Sequence, residues 1–94
     1  MRLSEYEKTA IREVIHSFDP ESKIYLFGSR ADDRKKGGDI DLLLISKKIT
    51  NRDKRRIRLG LYDRMGEQKI DIIISDTEES SPFVRIAHEE GVLL

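Results

Sequence analysis

The sequence predicts an α/β (α+β) fold, a small mixed β-sheet covered by helices, and three observations carry that expectation. Three short segments of strand character, KIYLF, DIDLLLI and KIDIIIS, stand among stretches of helical period, the first two joined by a short turn. A sheet and amphipathic helices bury their apolar faces best against each other, in two packed layers. The chain has 94 residues, 37% of them hydrophobic, which supplies one core and no second domain; residues 1–94 therefore read as a single domain.

Each element has its own signal. Ser4 with Glu7 forms a capping box, and Ala10, Ile11, Val14, Ile15 and Phe18 recur at helical spacing, so a helix runs from Ser4 to Phe18. Asp19-Pro20 ends it. Lys23 to Phe27 is aromatic and β-branched, a strand closed by Gly28. Asp39 to Ile45 begins with strict alternation and then turns wholly apolar, as a central strand covered on both sides does. Thr50 or Asn51 caps a second helix, in which Ile57, Leu61 and Met65 stack at intervals of four, and Gly66 ends it. Ile57 and Leu59 mark that helix as docked along one side. Lys69 to Ser75 repeats the pattern of the second strand. Ser81-Pro82 opens a last helix, N-cap then N1, which Gly91 closes before a short terminal strand at Val92 to Leu94. Strand order is not legible at this level.

The net charge is zero but unevenly spread. Lys47, Lys48, Arg52, Lys54, Arg55, Arg56 and Arg58 face only Asp53 within their segment, while Asp76, Glu78, Glu79, Glu89 and Glu90 face only Arg85. Such runs are ordinarily solvated helix faces. There is no cysteine, which removes disulfide frameworks, thiolate metal sites and cysteine nucleophiles. The longest apolar run, Leu42 to Ile45, is too short to span a bilayer, and no secretory leader is evident. A cytoplasmic protein is expected, with neither a membrane nor DNA as partner.

The chemistry is signalled by acids placed in strands. Asp39 and Asp41 flank Ile40 at the entry to the most apolar strand, and a period of two sends both carboxylates to one face. Asp71 sits between Ile70 and Ile72 in the third strand. Two carboxylates about 7 Å apart repel by about 2 kcal/mol at an effective dielectric near 20. Solvent, a nearby Arg or Lys, or a hard divalent cation relieves that repulsion, and Mg²⁺ takes such oxygen ligands together with substrate phosphate. Upstream, Gly28-Ser29-Arg30 follows the first strand directly: the glycine permits close backbone approach, Ser29 adds a hydroxyl, and Arg30 a fork suited to phosphate. A phosphate cradle beside a metal site is the arrangement that phosphoryl or nucleotidyl transfer requires. His16 and His88 lack ligand-spaced partners, Ser4, Ser46 and Ser75 lack a paired base, and Tyr6, Tyr25 and Tyr62 read as packing residues.

The stretch FGSRADDRKKGGDIDLLL, with KIDIII downstream, resembles the nucleotidyltransferase superfamily related to DNA polymerase β, and the chain is similar in length to its minimal nucleotidyltransferases, prokaryotic proteins usually encoded beside a HEPN-domain protein. The closing PFVRIAHEEGVLL is similar to the end of that family. The nine-residue spacer after Ser29 and Gly38 before Asp39 depart from the commoner antitoxin pattern. The resemblance implies a polymerase β-like fold in which Gly28, Ser29 and Arg30 bind the nucleotide triphosphate. Asp39 and Asp41 would bridge two Mg²⁺ ions, which Mn²⁺ can replace, and Asp71 would complete the catalytic metal site.

It further implies transfer of AMP from ATP to a hydroxyl, a tyrosine side chain on a partner HEPN toxin, making the chain the antitoxin of a toxin–antitoxin module. The alternatives are a non-catalytic partner-binding module of the same fold and a small-molecule nucleotidyltransferase of the aminoglycoside type. The oligomeric state, homo- or hetero-oligomer, stays open.

Overall fold

A computed structural model describes residues 3–28 and 39–94. Helix α1 (Glu5–Phe18) is followed by strand β1 (Lys23–Phe27), strand β2 (Ile40–Ile45), helix α2 (Lys54–Met65), strand β3 (Ile70–Ser75), helix α3 (Pro82–Glu90) and strand β4 (Val92–Leu93). The four strands form one mixed sheet in the order β3-β2-β1-β4. β1 is antiparallel to both neighbours, whereas β2 and β3 run parallel because α2 crosses between them.

The caps match their sequence signals. Ser4 Oγ accepts from the Glu7 amide at 3.1 Å while the Glu7 carboxylate accepts from the Ser4 amide at 3.0 Å, the reciprocal capping box. Ser81 Oγ accepts from the Val84 amide at 3.1 Å with Pro82 in the first helical position. The second helix differs from expectation. It enters through a 3₁₀ turn, Asn51–Asp53, before becoming regular at Lys54. Thr50 is its boundary residue, its amide donating to the Asp53 carboxylate at 2.9 Å.

Side chains alternate between the two faces of the sheet. Ile24, Leu26, Ile40, Leu42, Leu44, Ile70 and Ile72 turn to the face covered by α1 and α2, where Ile11, Ile15, Ile57 and Leu61 complete the main core. Leu43 and Ile45 turn to the opposite face, under Val84 and Ala87 of α3, with Tyr25, Phe27 and Ile73 around them. Leu42, Leu43 and Leu44 are all fully buried, which is why the apolar half of the second strand carries no alternation. Leu59 does not join the docking side. It is half exposed, because Ile57 and Leu61 share one helical face and a position two residues on lies on the far side.

Candidate active site at the entry to the parallel strands

Two similar segments lie side by side here. The parallel register pairs Ile40 with Ile70 and Asp41 with Asp71, and Leu42 through Ile45 with Ile72 through Ser75. The strands themselves begin at Ile40 and Ile70, one residue later than the sequence pattern suggests, and Ile40 donates its amide to the Lys69 carbonyl at 3.1 Å. Asp39 and Lys69 are thus brought together just outside the sheet, with Lys69 Nζ 3.5 Å from Asp39 Oδ2. The structure brings Asp41 and Asp71 together as direct neighbours. Asp39, two residues before Asp41, is turned to Lys69.

Asp41 and Asp71 share a face with Leu43 and Ile73, the face that α3 covers further along the strands. Asp41 is partly buried and Asp71 is exposed on the edge strand β3. Burial pushes the Asp41 carboxyl above its ordinary value; the charge of Asp71 and the hydrogen bond between the two side chains add to this, then the charge of Asp39, while Lys69 opposes it. Lys69 does not neutralise the group, because both members of its pair with Asp39 are solvated, at 72% and 41% exposure, and such pairs are weak.

On the other side of Asp41, β1 pairs Phe27 with it and ends in Gly28. Gly28 has a φ of +76°, a conformation that side-chain-bearing residues rarely adopt. A Cβ there would collide with the Asp41 carboxylate. Within the described residues, the steric demand for glycine here comes from the Asp41 side chain. Ser29 and Arg30, the rest of the expected cradle, lie outside the described residues.

The donor set is all carboxylate oxygen, the chemistry that suits a hard divalent cation, and Asp41 is raised by its burial first and by the neighbouring Asp71 second. Among the described residues no three acidic or histidine side chains converge closely enough to enclose a metal ion as they stand. Asp41 and Asp71 could hold such an ion from one side only. Asp39 could be a third donor on exchanging Lys69 for the ion.

The remaining sequence candidates fall into structural roles. His16 Nε2 lies 3.1 Å from the Ser22 carbonyl, and His88 stands edge-on to Tyr25 with ring centroids 4.8 Å apart. Tyr6 donates to the Arg64 carbonyl at 2.6 Å, joining α1 to α2. Ser46 donates to Asp19 at 2.6 Å and accepts from the amides of Lys48 and Ile49, and Ser75 donates to the Thr77 carbonyl at 2.6 Å. A cavity of about 620 Å³ lies at the far end of β2, lined by Asp19, Lys23, Ser46, Lys47, Lys48 and Asp76 among others, well away from the carboxylate pair. Lys69 was missed by sequence reasoning. The signal was present, since Lys69-Ile70-Asp71 and Asp39-Ile40-Asp41 are the same pattern with one charge reversed.

Comparison with known proteins bears on this site. A family model described as Polymerase beta, Nucleotidyltransferase matches residues 9–94. That span contains every strand, Gly28 and all three acids. Among curated proteins no match is found.

Proposed function

Because the chain belongs to the polymerase beta nucleotidyltransferase family, we propose that it transfers AMP from ATP to a hydroxyl, with Asp39, Asp41 and Asp71 as its metal-binding acids. The observation that carries this reading is the Asp41–Asp71 pair, two carboxylates on adjacent parallel strands with Gly28 backed against one of them. Divalent metals, which this family generally uses, would be held there and supply charge neutralisation at the triphosphate.

The chain's own residues divide the remaining work. Gly28 lets the backbone approach the phosphates, with Ser29 and Arg30 as the expected donors. Asp41, the less exposed acid, fixes the position of the group it binds. Asp71, exposed at the sheet edge, is open to the acceptor and takes the proton from its hydroxyl. The acceptor oxygen then forms its bond to the α-phosphorus as the bond from that phosphorus to the bridging oxygen breaks, and pyrophosphate leaves. By its similarity to the minimal nucleotidyltransferases, the acceptor is a tyrosine of a HEPN-domain toxin, and the chain acts as antitoxin.

Asp71→Asn tests the assignment. It removes a group that matters in the transition state more than in the ground state, so transfer falls by a hundredfold or more, about 2.7 kcal/mol of barrier. Affinity for Mg-ATP stays within a few-fold. The measurement is mass spectrometry of a HEPN protein from the adjacent reading frame after incubation with ATP. If the wild type binds that protein tightly and adds no AMP, the fold serves as a binding module instead.

A further inference from the structure

We propose that Phe83 is the platform on which the base of the bound nucleotide stacks; this rests on the nucleotide-binding reading of the carboxylate site. Phe27 is the cross-strand partner of Asp41 and packs in the cluster that contains Leu43, on the face to which Asp41 also turns. The Phe83 ring stands edge-on to Phe27, with centroids 6.0 Å apart and planes at 81°. One strand pair and one ring contact therefore separate the acid from an aromatic ring that is still 55% exposed.

An aromatic side chain at that exposure has given up much of the stabilisation that burial offers. Its position is nonetheless well fixed. It follows Pro82 in the first turn of α3, whose start is held by the Ser81 cap, and Phe27 supports one side of the ring. A rigid, half-exposed ring on the edge that carries the acids suits a planar base, since base–aromatic stacking needs only a free π-face. Ile86, one turn further and also half exposed, extends the apolar strip. The other large exposed apolar side chains among the described residues are Tyr6 on α1 and Leu59 on α2, the helices that cover the opposite face, and Leu93 on β4, which pairs with Tyr25 rather than with Phe27 beside the acids. The strip beside the acids is two residues wide, small for a protein-docking surface of the usual area.

The experiment compares ATP with inorganic tripolyphosphate, each titrated in Mg²⁺ against wild type, Phe83→Ala and Phe83→Trp. The wild type binds both, ATP more tightly. Phe83→Ala loses about tenfold in ATP affinity, a usual order for a stacked base, and binds tripolyphosphate unchanged. Because the chain has no tryptophan, Phe83→Trp places a single reporter at the site. Its emission is quenched by ATP and not by tripolyphosphate, a readout that stands even if the alanine variant folds poorly. If ATP binds Phe83→Ala as it binds the wild type, or leaves the tryptophan emission of Phe83→Trp unchanged while bound, the platform is overturned and the carboxylate site stands. If the wild type binds neither ligand in a Mg²⁺-dependent way, the site reading itself fails, and the platform with it.

Discussion

Asp19 and Asp41 lie at opposite ends of β2, and their carboxyls are displaced in opposite directions. Asp19 is only 7% exposed, yet it is fully provided for: Ser46 Oγ donates to Oδ2 at 2.6 Å and the Glu21 amide donates to Oδ1 at 3.0 Å. The Ser46 hydrogen bond holds its carboxyl below the ordinary value, the Glu21 amide adds to this, burial opposes it, and Lys48 and His16 help more weakly. Asp41 is less buried and is pushed upward, because burial and a second carboxylate act together on it. Burial of an acid is thus no mark of function by itself. Among the described residues, what distinguishes the two is that Asp19 is given donors and Asp41 a neighbour of the same charge.

The largest effect that sharpens this contrast is steric. Gly28→Ala puts a Cβ into the Asp41 carboxylate as well as straining the backbone at a φ of +76°. Gly66 is its control, with a φ of +83° and nothing within 4 Å of an added Cβ. Both substitutions carry a backbone cost of about 1 to 2 kcal/mol. Only Gly28→Ala displaces the acid, so only it lowers Mg-ATP affinity, by a hundredfold or more in a calorimetric titration. Equal affinities for the two variants would show that Gly28 is simply a turn.

Next in size is the loss of the provided-for acid. Asp19→Ala removes two hydrogen bonds to a charged acceptor and leaves Ser46 without its carboxylate, a cost of about 3 kcal/mol. The sign with pH follows from the lowered folded value. The stability Asp19 contributes is fully present above 3.8, its ordinary value, and is lost as pH falls through the lower value it has when folded. Denaturant midpoints for Asp19→Ala should therefore lie well below those of the wild type at neutral pH and approach them in acid. ATP binding should persist under folding conditions, since the substitution lies at the far end of the sheet from the carboxylate pair.

The same two acids show what was legible in the sequence. Asp41 and Asp71 announce themselves because strand periodicity leaves little reason for an acid among Ile and Leu, and the parallel register then makes them neighbours. The capping signals at Ser4 and Ser81 are equally local and were equally readable. Asp19 reads only as the stop before Pro20, since its partner Ser46 is 27 residues away and reaches it through tertiary packing. Phe83 has the same opacity: Ser81-Pro82 fixes where α3 begins, but whether the next ring is buried depends on how α3 lies across Phe27. Strand order β3-β2-β1-β4 is likewise set by packing between elements, for which a single sequence carries no periodic signal.

The smallest effect runs against intuition for a substitution at a candidate active site. Asp41 is an acid whose folded value is raised, so the unfolded chain releases this proton more readily than the folded one. Stability associated with Asp41 is therefore greatest near and below pH 3.8 and declines as pH rises through its higher folded value, staying reduced at neutrality. Asp41→Asn keeps the shape and removes the charge, which relieves repulsion from Asp71 and Asp39. Discounted for the solvent that reaches this edge, the gain is about 1 kcal/mol at pH 7, or about 4–8 °C in Tm for a domain of this size. In metal-free buffer the variant should melt above the wild type at pH 7, and the difference should vanish toward pH 4. Adding Mg²⁺ with ATP should reverse the order, because the wild type gains stability from the ligand by mass action and the variant does not. An Asp41→Asn protein that melts below the wild type without metal would mean that Lys69 or another group already balances this acid, making the two ends of β2 alike.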